Sequence, residues 1–375
     1  MSTPYKYGLS ILIFFVALAL FSSYRIHQGL SVKEYRRFQI IPDAAATKNF
    51  EDSSASSLQH NTTWRAKMWE ELIKSCQNKT KTRRLPKIIG IGVEKCGTHA
   101  LMQFLIPHPL IRIARRIECH FFDAKPGGSV EDYLKLMPEV EEDIFIMEKT
   151  PAYFNFRSPS IPADIKKIVP DVKLLLVLCD PVERVLSDFY QQWIMFNKTN
   201  QSQREFGYKT VDEYLDVYLP RVQKTIGDFN EENRLLQEEK IFKLFREDHL
   251  SHILTTGFYA LHLQRWFKHF NETNLMIIDS GAMIKHPGAV IESAQRFLHL
   301  PMVLLKEDYV LDEESGYFCY KDWRNENKLK CLPSDKQRTR NGQKALSPDA
   351  ANTLQKFFES HNKALFKMLN RTFWA

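Results

Sequence analysis

No stretch of the 375 residues repeats at a fixed period, which excludes solenoids and propellers and leaves one large α/β domain with extra segments as the simplest organisation. No Cys/His cluster has the spacing of a zinc site, so the chain is expected to work without a metal. A Walker loop, G-x-x-x-x-G-K-[ST], is missing as well, and a nucleotide bound here is expected to be something other than a Mg-bound triphosphate. Uncharged apolar sequence of membrane-spanning length is confined to Gly8 to Tyr24, between Lys6 and Arg25. About 17 residues is the shortest span for a bilayer and long for a signal-peptide core, so residues 8–24 are expected to be a signal anchor, with cleavage after a small residue such as Ala19 as the alternative.

What is present points to the secretory lumen. N-x-[ST] sequons stand at Asn61, Asn78, Asn197, Asn200, Asn271 and Asn370. Among six cysteines, Cys319 and Cys331 flank a charged, turn-like insert and are expected to pair in an oxidising compartment. The net charge of +7 makes polyanions plausible partners, and a luminal location makes nucleic acid the least fitting of them.

Residues 25–84 read as a polar stem containing one amphipathic helix with Trp64 and Trp69, after a short tail, 1–7, and the anchor. From Lys87 a βα alternation begins, with apolar strands expected at 87–93, 144–147, 172–178 and 275–279. Helices fit 98–105, 182–196, 212–218, 257–270, 288–298 and 348–369. Strands this short and uniformly apolar are buried on both faces, which predicts an α/β fold with a central parallel sheet and flanking helices over 85–375.

The first strand runs into its helix through Val93-Glu-Lys-Cys-Gly-Thr98. Gly97 allows close backbone approach, the first helical amides point at an anion, and Lys95 adds a full charge, so the loop suits a phosphate; a plain strand-to-helix turn with a solvated lysine is the alternative. Three further segments surround it: Ile117-Glu-Cys-His-Phe-Phe-Asp123, Met147-Glu-Lys-Thr-Pro-Ala-Tyr-Phe154 and Leu178-Cys-Asp-Pro-Val-Glu-Arg-Val-Leu-Ser187. The last two follow expected strands, where α/β sheets expose loops to ligands, and Glu118 beside a lysine suits a base for a sugar hydroxyl. Lys149 and Tyr153 are expected to face a glycan.

These four motifs, in this order, resemble the heparan sulfate glucosamine 3-O-sulfotransferases over roughly residues 85 to 370. Lys95-Cys-Gly-Thr-His99 is similar to the family's K-G-G-T-R, Glu118-Cys-His-Phe-Phe-Asp123 to E-V-H-F-F-D, and Glu148-Lys-Thr-Pro-Ala-Tyr-Phe154 to an identical E-K-T-P-A-Y-F. Cys179-Asp-Pro-Val-Glu-Arg-Val-Leu-Ser187 resembles R-D-P-x-E-R-x-L-S, with Cys179 where the family has arginine. The resemblance implies a P-loop-like sulfotransferase fold and 3′-phosphoadenylyl sulfate (PAPS) as sulfuryl donor. It implies Lys95, Cys96, Gly97, Thr98 and His99 around the 5′-phosphosulfate, and positions Cys179 and Ser187 at the 3′-phosphate. Phe318, Lys336, Gln337, Arg338, Thr339 and Arg340 would close over the nucleotide, with Cys319 and Cys331 bonded.

Glu118 would be the general base, assisted by Lys95 and His120, and Lys149, Asp123, Arg116 and Tyr153 would meet the acceptor. Arg112, Arg115 and Lys125 are further basic candidates for a polyanion, and Arg184 and Arg340 are candidates to compensate for the arginine missing at 179. The implied protein is a monomeric, single-pass type II Golgi enzyme with a luminal catalytic domain that sulfates heparan sulfate chains. A glycan-binding relative with weak or no turnover, or N-sulfation, are the readings left open.

Overall fold

The computed structural model describes residues 40–41, 55–77, 79–124, 128–155, 157–198, 207–322, 328–332 and 345–374. The expected tail and anchor, Lys125 and the nucleotide-closing run 336–340 lie outside the described residues. Among the described residues no helix is long and apolar enough to cross a membrane.

The strands are β1 (Ile40–Ile41), β2 (Thr82–Arg83), β3 (Ile88–Gly92), β4 (Ile111–Ile113), β5 (Glu139–Val140), β6 (Phe145–Lys149), β7 (Lys173–Leu178), β8 (Leu275–Asp279), β9 (Tyr309–Asp312), β10 (Tyr317–Asp322) and β11 (Lys328–Lys330). Six of them form the central sheet in the order β1-β8-β7-β3-β6-β4, and every neighbouring pair is parallel. β3 and β8 are buried along their whole length, as mostly apolar strands sandwiched between helices should be. The expected helices at 98–105 and 348–369 occur with those bounds, as Thr98–Leu105 and Pro348–Leu369. The helix expected to start after Asp180 is Pro181–Lys198, and the Asp180 carboxylate accepts the Val182 amide at 2.9 Å, as an N-terminal cap should.

Other elements differ from expectation. The helix placed at 212–218 continues through Pro220 to Ile226, and its buried face of Tyr214, Leu215, Tyr218, Val222 and Ile226 outweighs the local cost of the proline. β4 is an edge strand of three residues, too short to show a period. The antiparallel sheet β11-β10-β9 carries Cys319 on β10, and Cys319 is bonded to Cys331 just past β11. The stem segment is also more than a spacer. Its helix, Ala55–Cys76, buries Trp69 in the main core, Arg65 pairs with buried Asp308 at 2.8 Å, and Ile40 and Ile41 add the outermost strand beside β8.

The order of the sheet fixes the site. β7, β3 and β6 are adjacent and parallel, so the three loops that leave their carboxyl ends open on one side. From β3 the chain passes outward to β4 on one flank, whereas β7 and β8 lie on the other, and ligands of open α/β sheets bind where the winding reverses in this way.

Candidate active site at the carboxyl edge of the sheet

After β3 the backbone turns through Lys95, with φ of 72°, and Gly97, with φ of 93°. Gly97 holds the N-cap position of Thr98–Leu105, a left-handed conformation that costs a Cβ-bearing residue energy, and no side chain caps the helix. Left-handed residues flanking Cys96 bend the amides into a concavity of the kind that binds anions, and the uncapped helix start adds its partial positive charge. The Lys95 ammonium, half-buried, donates to the Gln191 side chain on the helix Pro181–Lys198. Thr98 is buried and His99 half-buried on the helical side of the loop.

β6 ends in Glu148 and Lys149, which point to opposite faces as successive strand residues do. Lys149 is 4% exposed, and its ammonium donates to Glu118 Oε1 at 2.5 Å. Glu118 Oε2 lies 3.3 Å from His120 Nε2, and His120 Nδ1 lies 2.8 Å from Asp123 Oδ2. Asp123 is buried beneath the imidazole and has Arg157 at 3.9 Å on its other side. Glu118, His120 and Asp123, close in sequence, and Lys149 from the end of β6 thus form one connected group with the half-exposed Glu118 carboxylate facing out.

Glu148 lies on the other face, fully buried, and ties down the segment that follows Glu118. Its carboxylate accepts from Thr150 Oγ1 at 2.8 Å, from the Tyr153 hydroxyl at 2.7 Å and from the Tyr133 hydroxyl. Thr150 Oγ1 in turn accepts the Cys119 amide at 3.0 Å, and the Tyr153 oxygen accepts the Phe121 amide at 3.0 Å. Two hydroxyls therefore link a buried carboxylate to the backbone on either side of His120, a residue with φ of 50°. Burial pushes the Glu148 carboxyl up from its ordinary value, and the three hydroxyl donors oppose that rise without cancelling it.

Some expected roles fall elsewhere. Tyr153, expected to face a glycan, is fully buried with its hydroxyl committed to Glu148 and Phe121, so it supports the site from beneath. Arg184, a candidate to replace the missing arginine, is fully buried and donates to Asp188 at 3.0 Å and to the Ile253 carbonyl, which leaves it no reach to a nucleotide. Cys179 offers no free thiol: it is bonded to Cys96, so two positions assigned to the nucleotide are joined to each other. Ser187 is half-buried on its helix, Phe318 is half-buried on β10, Arg115 and Arg116 are exposed beside Glu118, and Arg112 donates to the carbonyls of Pro109 and Ile111 at 2.8 Å. Of the sequons, Asn271 and Asn370 are exposed, and the other four fall outside what the structure describes at the side-chain level.

The fold also assembles Glu94, Asp188 and His252 beside Lys95, with candidate ligand atoms within 4.8 Å of one another. Arg157 lies 3.7 Å from Glu94 and Arg184 3.0 Å from Asp188, so protein cations already offset these carboxylates. Burial and the nearby Asp188 charge push Glu94 up; burial also acts to raise Asp188, but His252 and Arg184 outweigh it and hold Asp188 below its ordinary value. Sequence reasoning missed this group because its members meet only once three separate elements pack together.

A parallel sheet with a left-handed turn and an uncapped helix start after its central strand, and a lysine at the neighbouring strand end that holds a carboxylate, is an architecture suited to an anionic group. The family comparison agrees: the family described as "Sulfotransferase domain" matches residues 85–367, and the chain belongs to it. Within that family the chain is similar to heparan sulfate glucosamine 3-O-sulfotransferase 3A1 of Mus musculus, with 28% identity over 292 residues, 78% of this chain and 65% of the relative. It is likewise similar to heparan sulfate glucosamine 3-O-sulfotransferase 5 of Homo sapiens, with 27% identity over 77% of this chain and 74% of the relative. The chain thus spans somewhat less than two thirds of the first relative's length. Among solved structures, a sulfotransferase from Alicyclobacillus acidocaldarius is 19% identical with a TM-score of 0.49, over 77% of this chain and 97% of that one.

Proposed function

We propose that the protein transfers the sulfuryl group of PAPS to the 3-hydroxyl of glucosamine residues in heparan sulfate, with Glu118 as general base. The observation that carries this reading is the Glu118 carboxylate, half-exposed and fixed by Lys149 at 2.5 Å and His120 at 3.3 Å, on the crevice that also holds the Lys95 loop. Bound PAPS would supply the sulfuryl group, and the turn at Lys95 to Thr98 has the left-handed residues and uncapped helix start that suit its 5′ end.

Glu118 takes the proton of the acceptor hydroxyl as that oxygen forms its bond to sulfur. The bond from sulfur to the bridging phosphate oxygen breaks, and the electron pair leaves with adenosine 3′,5′-bisphosphate (PAP). Lys95 neutralises the charge that builds on the departing oxygen, and positioning with electrostatics supplies most of the rate, as in phosphoryl transfer. Lys149 and His120 hold the carboxylate toward the acceptor, and Asp123 holds His120. No step calls on a metal.

The acceptor is a polyanion, so Arg115 and Arg116, exposed next to Glu118, are assigned to it, and binding should weaken with salt. The relatives named for heparan sulfate support that acceptor class. Two disulfides among six cysteines and the exposed sequons support a luminal, oxidising location, which we assign to the Golgi, with residues 8–24 as a type II anchor and the enzyme acting as a monomer.

The test is transfer of radiolabelled sulfate from PAPS to heparan sulfate, followed by disaccharide analysis. Label on the 3-hydroxyl of glucosamine is expected. Label on the amino group would correct the acceptor position, and no label at saturating PAPS with intact heparin binding would replace the enzyme by a glycan-binding protein.

A further inference from the structure

The four motifs account for Lys95, Glu118 and Lys149, but not for the bond between Cys96 and Cys179. β3 and β7 are neighbours, with Gly92 opposite Leu176 and the Val93 amide bonded to the Val177 carbonyl at 2.9 Å. Cys96 lies in the loop that leaves β3, and Cys179 is the first residue after β7, ahead of the helix that carries Ser187. Their Cα atoms are 5.2 Å apart, and the bond joins the loops assigned to the two ends of the nucleotide. Cys96 is 0% exposed and Cys179 5%, and the buried Tyr259 hydroxyl covers both, 3.6 Å from one sulfur and 4.0 Å from the other. A bond sealed in this way resists thiol exchange in the folded protein and is a fixed part of the site rather than a switch.

We propose that the Cys96–Cys179 disulfide is a positioning clamp: it holds the Lys95 to Thr98 loop in its anion-cradling shape against the loop that carries Ser187. The inference rests on the PAPS reading above. Cys96 lies between two residues with positive φ, Lys95 and Gly97, a backbone shape that a free loop samples only part of the time. Tying the middle residue to the end of β7 leaves that shape in place before the nucleotide arrives, so less ordering is needed on binding. The clamp supplies no charge. It offsets the absence of a cation at 179 by raising the fraction of molecules already competent to bind.

If that fraction falls to about a tenth without the bond, apparent PAP affinity falls about tenfold. The experiment uses the full-length protein. Non-reducing peptide mapping should recover the peptides containing Cys96 and Cys179 linked, and their recovery as free thiols would overturn the proposal. Calorimetric titration with PAP should show the roughly tenfold loss in the C96S/C179S double variant. Hydrogen exchange at 95–101 should rise in that variant without nucleotide and return to wild-type values at saturating PAP, with β8 unchanged throughout. Wild-type affinity in the variant would overturn the clamp while leaving the PAPS reading intact, whereas failure of the wild type to bind PAP would sink the PAPS reading itself. The C96A/C179V pair, apolar for a buried site, carries the same titration if the serine pair does not fold. Failure of both pairs to fold would make the bond a folding requirement and overturn a positioning role.

Discussion

Glu118 has three neighbours that define its work: the Lys149 ammonium, the His120 ring and, through that ring, Asp123. Glu118→Gln keeps the shape and an acceptor for Lys149 but removes the ability to take a proton. Turnover should fall by about 10² to 10⁴, with PAP affinity within about threefold of wild type, by initial rates and calorimetry. A matching loss of PAP binding would show that the side chain organises the nucleotide site and would end its assignment as base. At this scale the sequence was informative where a residue's chemistry is local. Lys95, Gly97, Glu118 and Lys149 could be singled out from the motifs because each stands in a short contiguous segment whose residue types suggest its chemistry. Tyr153 could not, because the direction of a tyrosine one turn past a strand depends on Glu148 and Tyr133 beneath it. The partner of Cys96 was equally hidden: 83 residues separate it from Cys179, and only the adjacency of β3 and β7 brings them together.

At the scale of elements, the site depends on how closely β3 approaches the 3-10 turn Pro151–Tyr153. A Cβ added at Gly92 would meet Phe154 Cβ at 2.5 Å and the Pro151 carbonyl oxygen at 3.3 Å. Gly92→Ala should therefore push that turn, and with it Thr150 and Tyr153, away from the segment that carries Glu118. A stability loss of about 1 to 3 kcal/mol in urea unfolding is expected, with a fall in kcat beyond what partial unfolding explains. An unchanged urea midpoint would mean that the turn yields without cost. The same junction is braced from behind by Arg265, whose guanidinium donates to the carbonyls of Phe154, Asn155 and Ser158. The Cys96–Cys179 bond adds roughly 4 to 5 kcal/mol on chain-entropy grounds for a loop of this size. β3, β7 and β8 were legible in advance because both faces are apolar; β4 and the β9 to β11 sheet were not, being short, partly exposed and without clear alternation.

The whole molecule carries a pH dependence set by buried histidines. Burial lowers both His108 and His361 from the ordinary value of 6.5 to about 4, only partly opposed by their bonds to the carbonyls of Pro301 and Gly227. The unfolded chain therefore binds more protons than the native protein between about pH 4 and 6.5, so stability is complete above that window and is lost as pH falls through it. By pH 5 each histidine should cost about 2 kcal/mol. Buried Glu94 and Glu148, with raised values, act in the opposite sense and soften the total. Urea titrations at pH 7 and pH 5 should show the loss, and His361→Phe should shrink it by about 2 kcal/mol; an equal loss in the variant would remove His361 from the account.

The outermost strand of the sheet bears on how the protein can be divided. The family-matching region begins at residue 85, yet β8 has Ile40 and Ile41 hydrogen-bonded along its outer side, and Trp69 and Arg65 are seated against the same body. A fragment starting at 85 would leave the backbone of a fully buried, mostly apolar strand, Leu275–Asp279, open to any other chain that could pair with it. Such a fragment is expected to self-associate, growing in light scattering with concentration, while one that keeps residues 40 to 84 stays dispersed. The segment that reads as a tether is thereby also the sheet's protection against its own copies.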